Sequence, residues 1–298
     1  MPIHTLDLHF QRIPHTIASY AIPHAQGIAL IDCGPGSTIP ALRAALEQTG
    51  LKIGDVTDVL LTHIHLDHGG AAGWFAQQGA RVHVHPNGAA HLINPEKLIK
   101  SASRIYGDRM GELWGEFLPV PEDRLVQLQD REEISIGGLS FTALDTPGHA
   151  EHHLAYRHGD TCFTGDVGGV RLPGLAYLQV PMPPPEFHLE KWRASLDKLR
   201  AEKVHRIAPT HFGIFEDVET HLSLLAHELD EVEEFLEQVM PADPPVDDIN
   251  RLFVEWTQKR AALRGVSDAD MRAYEAANPS WMSAAGMLRY WRKHRVAV

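Results

Sequence analysis

The spacing of apolar and polar positions changes period along this chain, and each change marks an element. Residues 28–31 are continuously apolar and end at Asp32 and a Gly/Pro turn, which predicts a buried strand. In STIPALRAALEQTG, a Ser/Thr start, spacing near 3.6 and a closing Gly50 predict a helix with both ends marked. DVLLTH predicts a second strand, GGAAGWFAQQG a helix opened by small residues, and RVHVHP a third strand by its alternation. Residues 27–86 therefore read β-α-β-α-β. Helical spacing takes over in 87–121, an insertion before short strands resume in RLVQLQ, EEISIGGLSFTALDT and HHLAYRHGDTCFTGD. The Pro-rich VPMPPPEF predicts a stiff loop, followed by a helix in HLEKWRASLDKLRAE and a strand in VHRIAPTH. After Phe215 only helical signals remain. The chain thus divides into an α/β part, 1–215, and a C-terminal helical extension, 216–298. In the extension, Leu222, Leu225, Leu229, Val232, Phe235, Leu236 and Val239 form a stripe that must be buried. Packing on its own domain is the favoured outcome, and a homodimer through these helices the alternative.

Composition places the chain among globular proteins with a sizeable core, at 44% hydrophobic residues and a mean hydropathy of -0.21. No apolar run is long enough to cross a bilayer, and the first residues lack the basic and apolar stretches of a signal peptide. Cys33 and Cys162 are the only cysteines, which fits a reducing compartment, so the cytoplasm is the expected location. The net charge of -12 is local: 12 acids and no Lys or Arg fall between Glu216 and Asn250, leaving the rest neutral. An acidic helix face is ordinarily solvated surface. That balance argues against a nucleic-acid partner, which needs concentrated basic surface.

Chemistry concentrates in LLTHIHLDHGGAAG. His63, His65, Asp67 and His68 fall within six residues, at a strand-to-helix turn, in a chain that holds 20 histidines. Three further strand ends deliver one such residue each: His149 after LDTPG, Asp166 after CFTG and His211 after RIAPT. Five imidazoles and two carboxylates suit zinc, manganese or iron, and no cysteine set serves a thiolate-demanding metal.

These motifs resemble those of the metallo-β-lactamase-fold superfamily, whose ligands run HxHxDH, then His, then Asp, then His. Here they stand as THIHLDH, TPGHAEHH, FTGD and PTHFG, in order, over roughly residues 15 to 215. The resemblance implies an αββα four-layer sandwich of two mixed sheets with outer helices, making 1–215 the catalytic domain. It implies two divalent ions, zinc foremost and manganese or iron as alternatives. His63, His65 and His149 would hold the first, Asp67, His68 and His211 the second, and Asp166 would bridge them. Asp67 is also the catalytic candidate, and Asp32 would support the site from behind. In an extended segment His63 and His65 would face the metal while Ile64 and Leu66 face the core. Two such ions can share one hydroxide nucleophile.

Within the superfamily, Asp166 and the absence of a leader disfavour the lactamases. The branch that fits best resembles glyoxalase II, lactonases and related thioesterases, so the expected activity is hydrolysis of a small thioester, lactone or similar ester. A mononuclear iron dioxygenase of the persulfide type and a phosphodiesterase are the alternatives. The expected partner is a small-molecule substrate, with neither nucleic acid nor membrane involved. Tyr106 and His91, with Arg109 and Trp114, are candidates to line its pocket. The aromatic tail, Trp281, Tyr290 and Trp291, is expected to roof the site, as appended helices do in glyoxalase II-like enzymes. His152 and His153 are expected to be structural, one bonding a neighbouring loop, and His83 and His85 to be satisfied strand histidines. Asp145 is a candidate to orient an imidazole or to hold its own turn, and Cys33 is expected to be a small buried thiol.

Overall fold

Two sheets carry the strands of the computed structural model, which describes residues 2–296. The first places β1 (His4–Asp7), β2 (Ala18–His24), β3 (Gly27–Ile31), β4 (Val56–Leu60), β5 (Arg81–Val84) and β6 (Leu125–Gln127) side by side in that order. It is antiparallel from β1 to β3 and parallel from β3 to β6. The second orders β7 (Glu133–Ile136), β8 (Leu139–Asp145), β9 (Leu154–His158), β10 (Thr161–Phe163) and β11 (Arg206–Ala208), with only the β10–β11 pair parallel. Both sheets are mixed.

Strand alternation sorts the core into three layers. Ala29 and Ile31 of β3 face the other sheet, where they meet Phe141, Tyr156 and Phe163. Ile28 and Leu30 point the opposite way, onto α1 (Ile39–Gln48) and the small-residue turns around α2 (Leu66–Gly69) and α3 (Ala72–Gln77). The second sheet's outer face, including Leu144, Ala155 and Cys162, is covered by α7 (Leu189–Ala201) and the C-terminal helices. The result is the αββα sandwich that the motifs imply.

The insertion forms α4 (Pro86–Ile93), α5 (Glu96–Tyr106) and α6 (Met110–Trp114). The extension forms α8 (Val218–Val239), α9 (Val246–Leu263), α10 (Asp268–Ala277) and α11 (Ser280–His294). The α8 stripe from Leu222 to Leu236 is buried within the chain, with Val239 half-buried at its end. No helix among the described residues is long and apolar enough to cross a membrane.

Two local departures from the sequence pattern have physical causes. The β1–β2 hairpin has no signal of its own, because Pro23 interrupts the β2 pattern. Proline is tolerated there because β1 pairs only as far as Ala21, so the missing N–H would face no partner. The expected helix over GGAAGWFAQQG is shortened to α3, and Asp67 and His68 sit in a separate single turn, α2, just before it.

Candidate metal centre

All seven ligand-type residues lie at one end of the sandwich, beyond strands of both sheets. His63, His65, Asp67 and His68 follow β4, His149 follows β8, Asp166 follows β10 and His211 follows β11. Two of these placements need glycine. Gly148 has φ +139 and a Cβ there would stand 2.5 Å from the Trp192 backbone. Gly165 has φ +49 and a Cβ would stand 2.7 Å from both His153 and Thr62. Each is the residue immediately before a ligand.

The seven form two trios. His65 Nδ1 lies 2.9 Å from both His63 Nε2 and His149 Nε2. Asp67 Oδ2 lies 3.6 Å from His68 Nε2 and 3.5 Å from His211 Nε2. Asp166 stands between them. Its Oδ1 is 3.0 Å from His68 Nε2 and 3.2 Å from His211 Nε2, while its Oδ2 is 3.2 Å from His149 Nε2.

The imidazoles are fixed from behind. His68 Nδ1–H donates to Asp32 Oδ2 at 2.8 Å, His149 Nδ1–H to Pro181 O at 3.0 Å and His211 Nδ1–H to Thr16 O at 2.5 Å. Thr62 Oγ1 donates to Asp32, so it accepts from His63 Nδ1–H, 3.1 Å away. Each of these bonds leaves the Nε2 lone pair turned into the site. Asp32 is fully buried and also accepts from Thr62 N and Thr210 Oγ1.

Electrostatics divide the two trios. Burial lowers His63, His65 and His149 below the ordinary histidine range, His65 to about 3, so these rings are neutral donors of a lone pair. Burial also opposes charge on His68 and His211, but Asp166 and Asp67 outweigh it. Both are raised, His211 to about 10. Burial works against ionisation of Asp166 as well, yet His68, His149 and His211 hold its carboxyl well below the usual range.

Three buried atoms, His68 Nε2, His211 Nε2 and Asp166 Oδ1, make no hydrogen bond although they converge on one point. Unpaired polar atoms are costly in a protein interior, and a cation bonded to all three removes that cost. The donor set therefore fits divalent metal. The model of the metallo-β-lactamase superfamily matches residues 12–211, most of the chain.

The chain belongs to the metallo-β-lactamase superfamily.

A metallo-β-lactamase fold-containing protein of Sulfurisphaera tokodaii is 29% identical over 160 residues, covering 52% of this chain and 60% of that protein. A hydroxyacylglutathione hydrolase of Albidiferax ferrireducens is 33% identical over 139 residues, 46% of this chain and 38% of that enzyme. The chain thus spans between 38% and 60% of these relatives' lengths. The crystal structure of a metallo-β-lactamase family protein from Thermus thermophilus matches with a TM-score of 0.67 at 22% identity, covering 99% of this chain and 93% of that one. That match spans the C-terminal helices as well.

Above the trios opens a cavity of about 1030 Å³, whose floor includes His65, Asp67, His149, Asp166 and His211. Tyr106, His91, Arg109 and Trp114 of the insertion line it, and Ile64 and Leu66 reach its wall as well as the core. Of the aromatic tail only Trp281 lines the cavity, its ring 6.0 Å from that of Tyr106. Tyr290 and Trp291 pack instead into the core over the second sheet, so the roof is narrower than expected.

The remaining histidines separate. His153 lies 2.9 Å from Thr146 Oγ1 and accepts from Val167 N, a structural bond between loops. His152 behaves differently from the structural role expected of it: it lines the cavity, its Nδ1 has no partner and its Nε2 is 3.6 Å from Glu186. His83 of β5 bonds Asp58 of the neighbouring β4 at 2.8 Å, whereas His85 lies past β5 and accepts from Asn87 N as the cap of α4. Asp145 reaches toward His85 at 3.7 Å and not toward a site imidazole. Cys33 is buried, its thiol donating to the His68 carbonyl.

Thr62 and Thr210, which hold Asp32, escape the motif reading. Their signal is present, since each immediately precedes a ligand histidine, in THIH and PTHF. The Thr16 and Pro181 carbonyls carry no signal, because any residue offers one.

Proposed function

We propose that the protein is a metal-dependent hydrolase of a thioester, lactone or related small ester, with two divalent ions, zinc foremost, per chain. One observation carries this reading: the two oxygens of Asp166 face different trios. A carboxylate so placed would bond one ion held by His63, His65 and His149 and another held by Asp67, His68 and His211. When bound, such a pair supplies Lewis acidity toward a carbonyl oxygen and lowers the pKa of water toward neutrality.

The chain's own groups supply the rest. Asp32 fixes His68 by accepting its Nδ1–H, and the Thr62 and Thr210 donors hold Asp32 in turn. Asp67 lies at the cavity floor with a fifth of its side chain exposed, so it is the carboxylate positioned to take up a proton from water. The Albidiferax relative, a hydroxyacylglutathione hydrolase by name, supports the same reaction class.

The test is elemental analysis of gently purified protein together with a screen of thioesters, lactones, esters and phosphodiesters. Two ions per chain and turnover of a carboxylic ester or thioester are expected. One firmly bound iron with oxygen consumption in the presence of persulfides would establish a dioxygenase instead, and turnover confined to phosphodiesters a phosphodiesterase.

A further inference from the structure

Two buried, strongly polar side chains, Arg171 and His221, belong neither to the trios nor to the cavity. A guanidinium taken out of water is costly unless its charge and its donors are matched. Those of Arg171 are matched from several sides. Nη1 and Nη2 donate to the two oxygens of Asp217 at 3.0 and 2.8 Å, and Nε donates to the Leu175 carbonyl at 3.1 Å. The guanidinium also lies over the Phe215 ring, 4.3 Å from its centre. His221, in the first turn of α8, donates from Nε2 to the Gly168 carbonyl at 2.7 Å, and its Nδ1 faces Arg171 Nη1 at 3.4 Å. Burial lowers this imidazole to about 4, so it is neutral, with one nitrogen to donate and one to accept.

The ends of these bonds give the cluster its meaning. The main chain of Arg171 brackets His211: Arg171 N donates to the His211 carbonyl at 2.6 Å, and Phe212 N donates to the Arg171 carbonyl at 3.2 Å. Gly168 closes the short turn Gly165–Gly168 that contains Asp166. Among the described residues only the site histidines approach the Asp166 carboxylate, so its place is set by that turn. His153 and Trp192 hold the turn at Val167, and His221 holds it at Gly168. Asp217 and His221, at the start of α8, therefore tie together two ligand-bearing segments that are distant in sequence. The first trio leans elsewhere, His63 on Thr62 and His149 on the Pro181 carbonyl.

We propose that Arg171, Asp217 and His221 are positioning residues for the second metal ion, fixing Asp166 relative to His211 from the start of the C-terminal extension. This rests on the two-ion reading and deepens it, and it is independent of which ester is cleaved. The extension then supports the metal centre as well as covering it.

The test uses zinc alone. Metal-free full-length protein is titrated with zinc against a chromophoric chelator, which resolves the two affinities. His221→Leu removes both bonds of the imidazole and should weaken the second zinc about 10–100-fold, with the first changed less than about threefold. His221→Gln, whose amide still donates to Gly168, should recover most of that loss. Asp217→Asn, at a side chain that is 42% exposed, removes the counter-charge of Arg171 and should weaken the second zinc about tenfold. In proton NMR of the zinc-loaded variants, the His211 Nδ1–H signal should move while those of His63 and His149 stay in place. Asp217→Asn decides alone if His221→Leu does not fold. Second-zinc affinity unchanged in the folded variants overturns the proposal. Equal weakening of both ions also overturns it, because a general loss of structure predicts that result. A Gln variant no better than Leu removes His221 from the device and overturns it as stated. A parent chain that takes up a single zinc overturns the two-ion reading and this proposal with it, whereas two zincs in the parent with indifferent variants overturn this proposal alone.

Discussion

At the scale of single residues, the centre depends on groups that touch no substrate. Asp166→Ala removes the carboxylate between the trios, so metal content should fall from two toward one per chain. Turnover should fall by at least ~10²-fold, as for loss of a preorganised electrostatic element. Unchanged stoichiometry and kcat in that variant would show the bridge to be wrongly assigned. Asp32→Asn keeps the shape but weakens the acceptor for His68 Nδ1–H, and should lower affinity for the second ion about 10–100-fold with the first retained. Proton linkage adds a pH signature. His211 has a metal-free pKa of about 10, raised by Asp166 and Asp67 over the effect of burial. Its pairing therefore stabilises the metal-free fold fully below the unfolded value of about 6.5, and that contribution disappears as pH rises through the folded value. A metal ion must displace the same proton, together with that on His68, so affinity at the second trio should increase with pH. Calorimetry of metal-free protein in two buffers of different ionisation enthalpy should show about two protons released with the second ion. Uptake without proton release would mean that His68 and His211 are not its ligands.

Among the elements, the C-terminal helices answer the question raised by the acidic run. Its acids are not merely solvated. Asp217 pairs bidentately with the buried Arg171, Glu233 meets Arg193 and Arg295, and Glu228 is held by Arg260 at 2.5 and 2.6 Å. The partners come from elsewhere in sequence, which is why composition within the run cannot show them. Burial raises the Glu228 carboxyl while Arg260 opposes the rise. Arg260→Ala would leave that carboxylate buried without a counter-charge and should cost on the order of 3–5 kcal/mol in urea unfolding. Arg260 also lies over the Trp256 ring at 4.1 Å, so a loss under about 1 kcal/mol would show both contacts to be inert. Because α11 packs Met287 and Tyr290 into the core over the second sheet, cutting off the helices would expose that core, and a point change tests the roof better. Trp281→Ala, at a side chain that is 41% exposed, should raise KM severalfold while stability stays within about 0.5 kcal/mol. Unaltered KM would remove Trp281 from the roof.

Across the whole molecule, what the sequence makes legible follows from how each feature is encoded. The strand ends bearing His63, His149, Asp166 and His211 are visible because apolar runs, turn glycines and ligand residues coincide locally. The αββα layering enters through those motifs, since periodicity alone does not say which strands share a sheet. The β1–β2 hairpin, the cavity face of His152 and the carbonyls behind the imidazoles stay hidden because pairing across long separations decides them. Leu6 opposite Ser19, and His211 against Thr16, are contacts that no local pattern records. The centre also has a mechanical meaning. Its donors come from the ends of β4 on one sheet and β8, β10 and β11 on the other, with Asp32 pinned between Thr62 and Thr210. Ions bound there would act as a rivet through both leaves of the sandwich at a single edge, leaving the opposite edge free to breathe. Stripping the metal should therefore speed amide hydrogen exchange along the Tyr20–Phe163 seam nearest the rivet, in advance of any loss of helix.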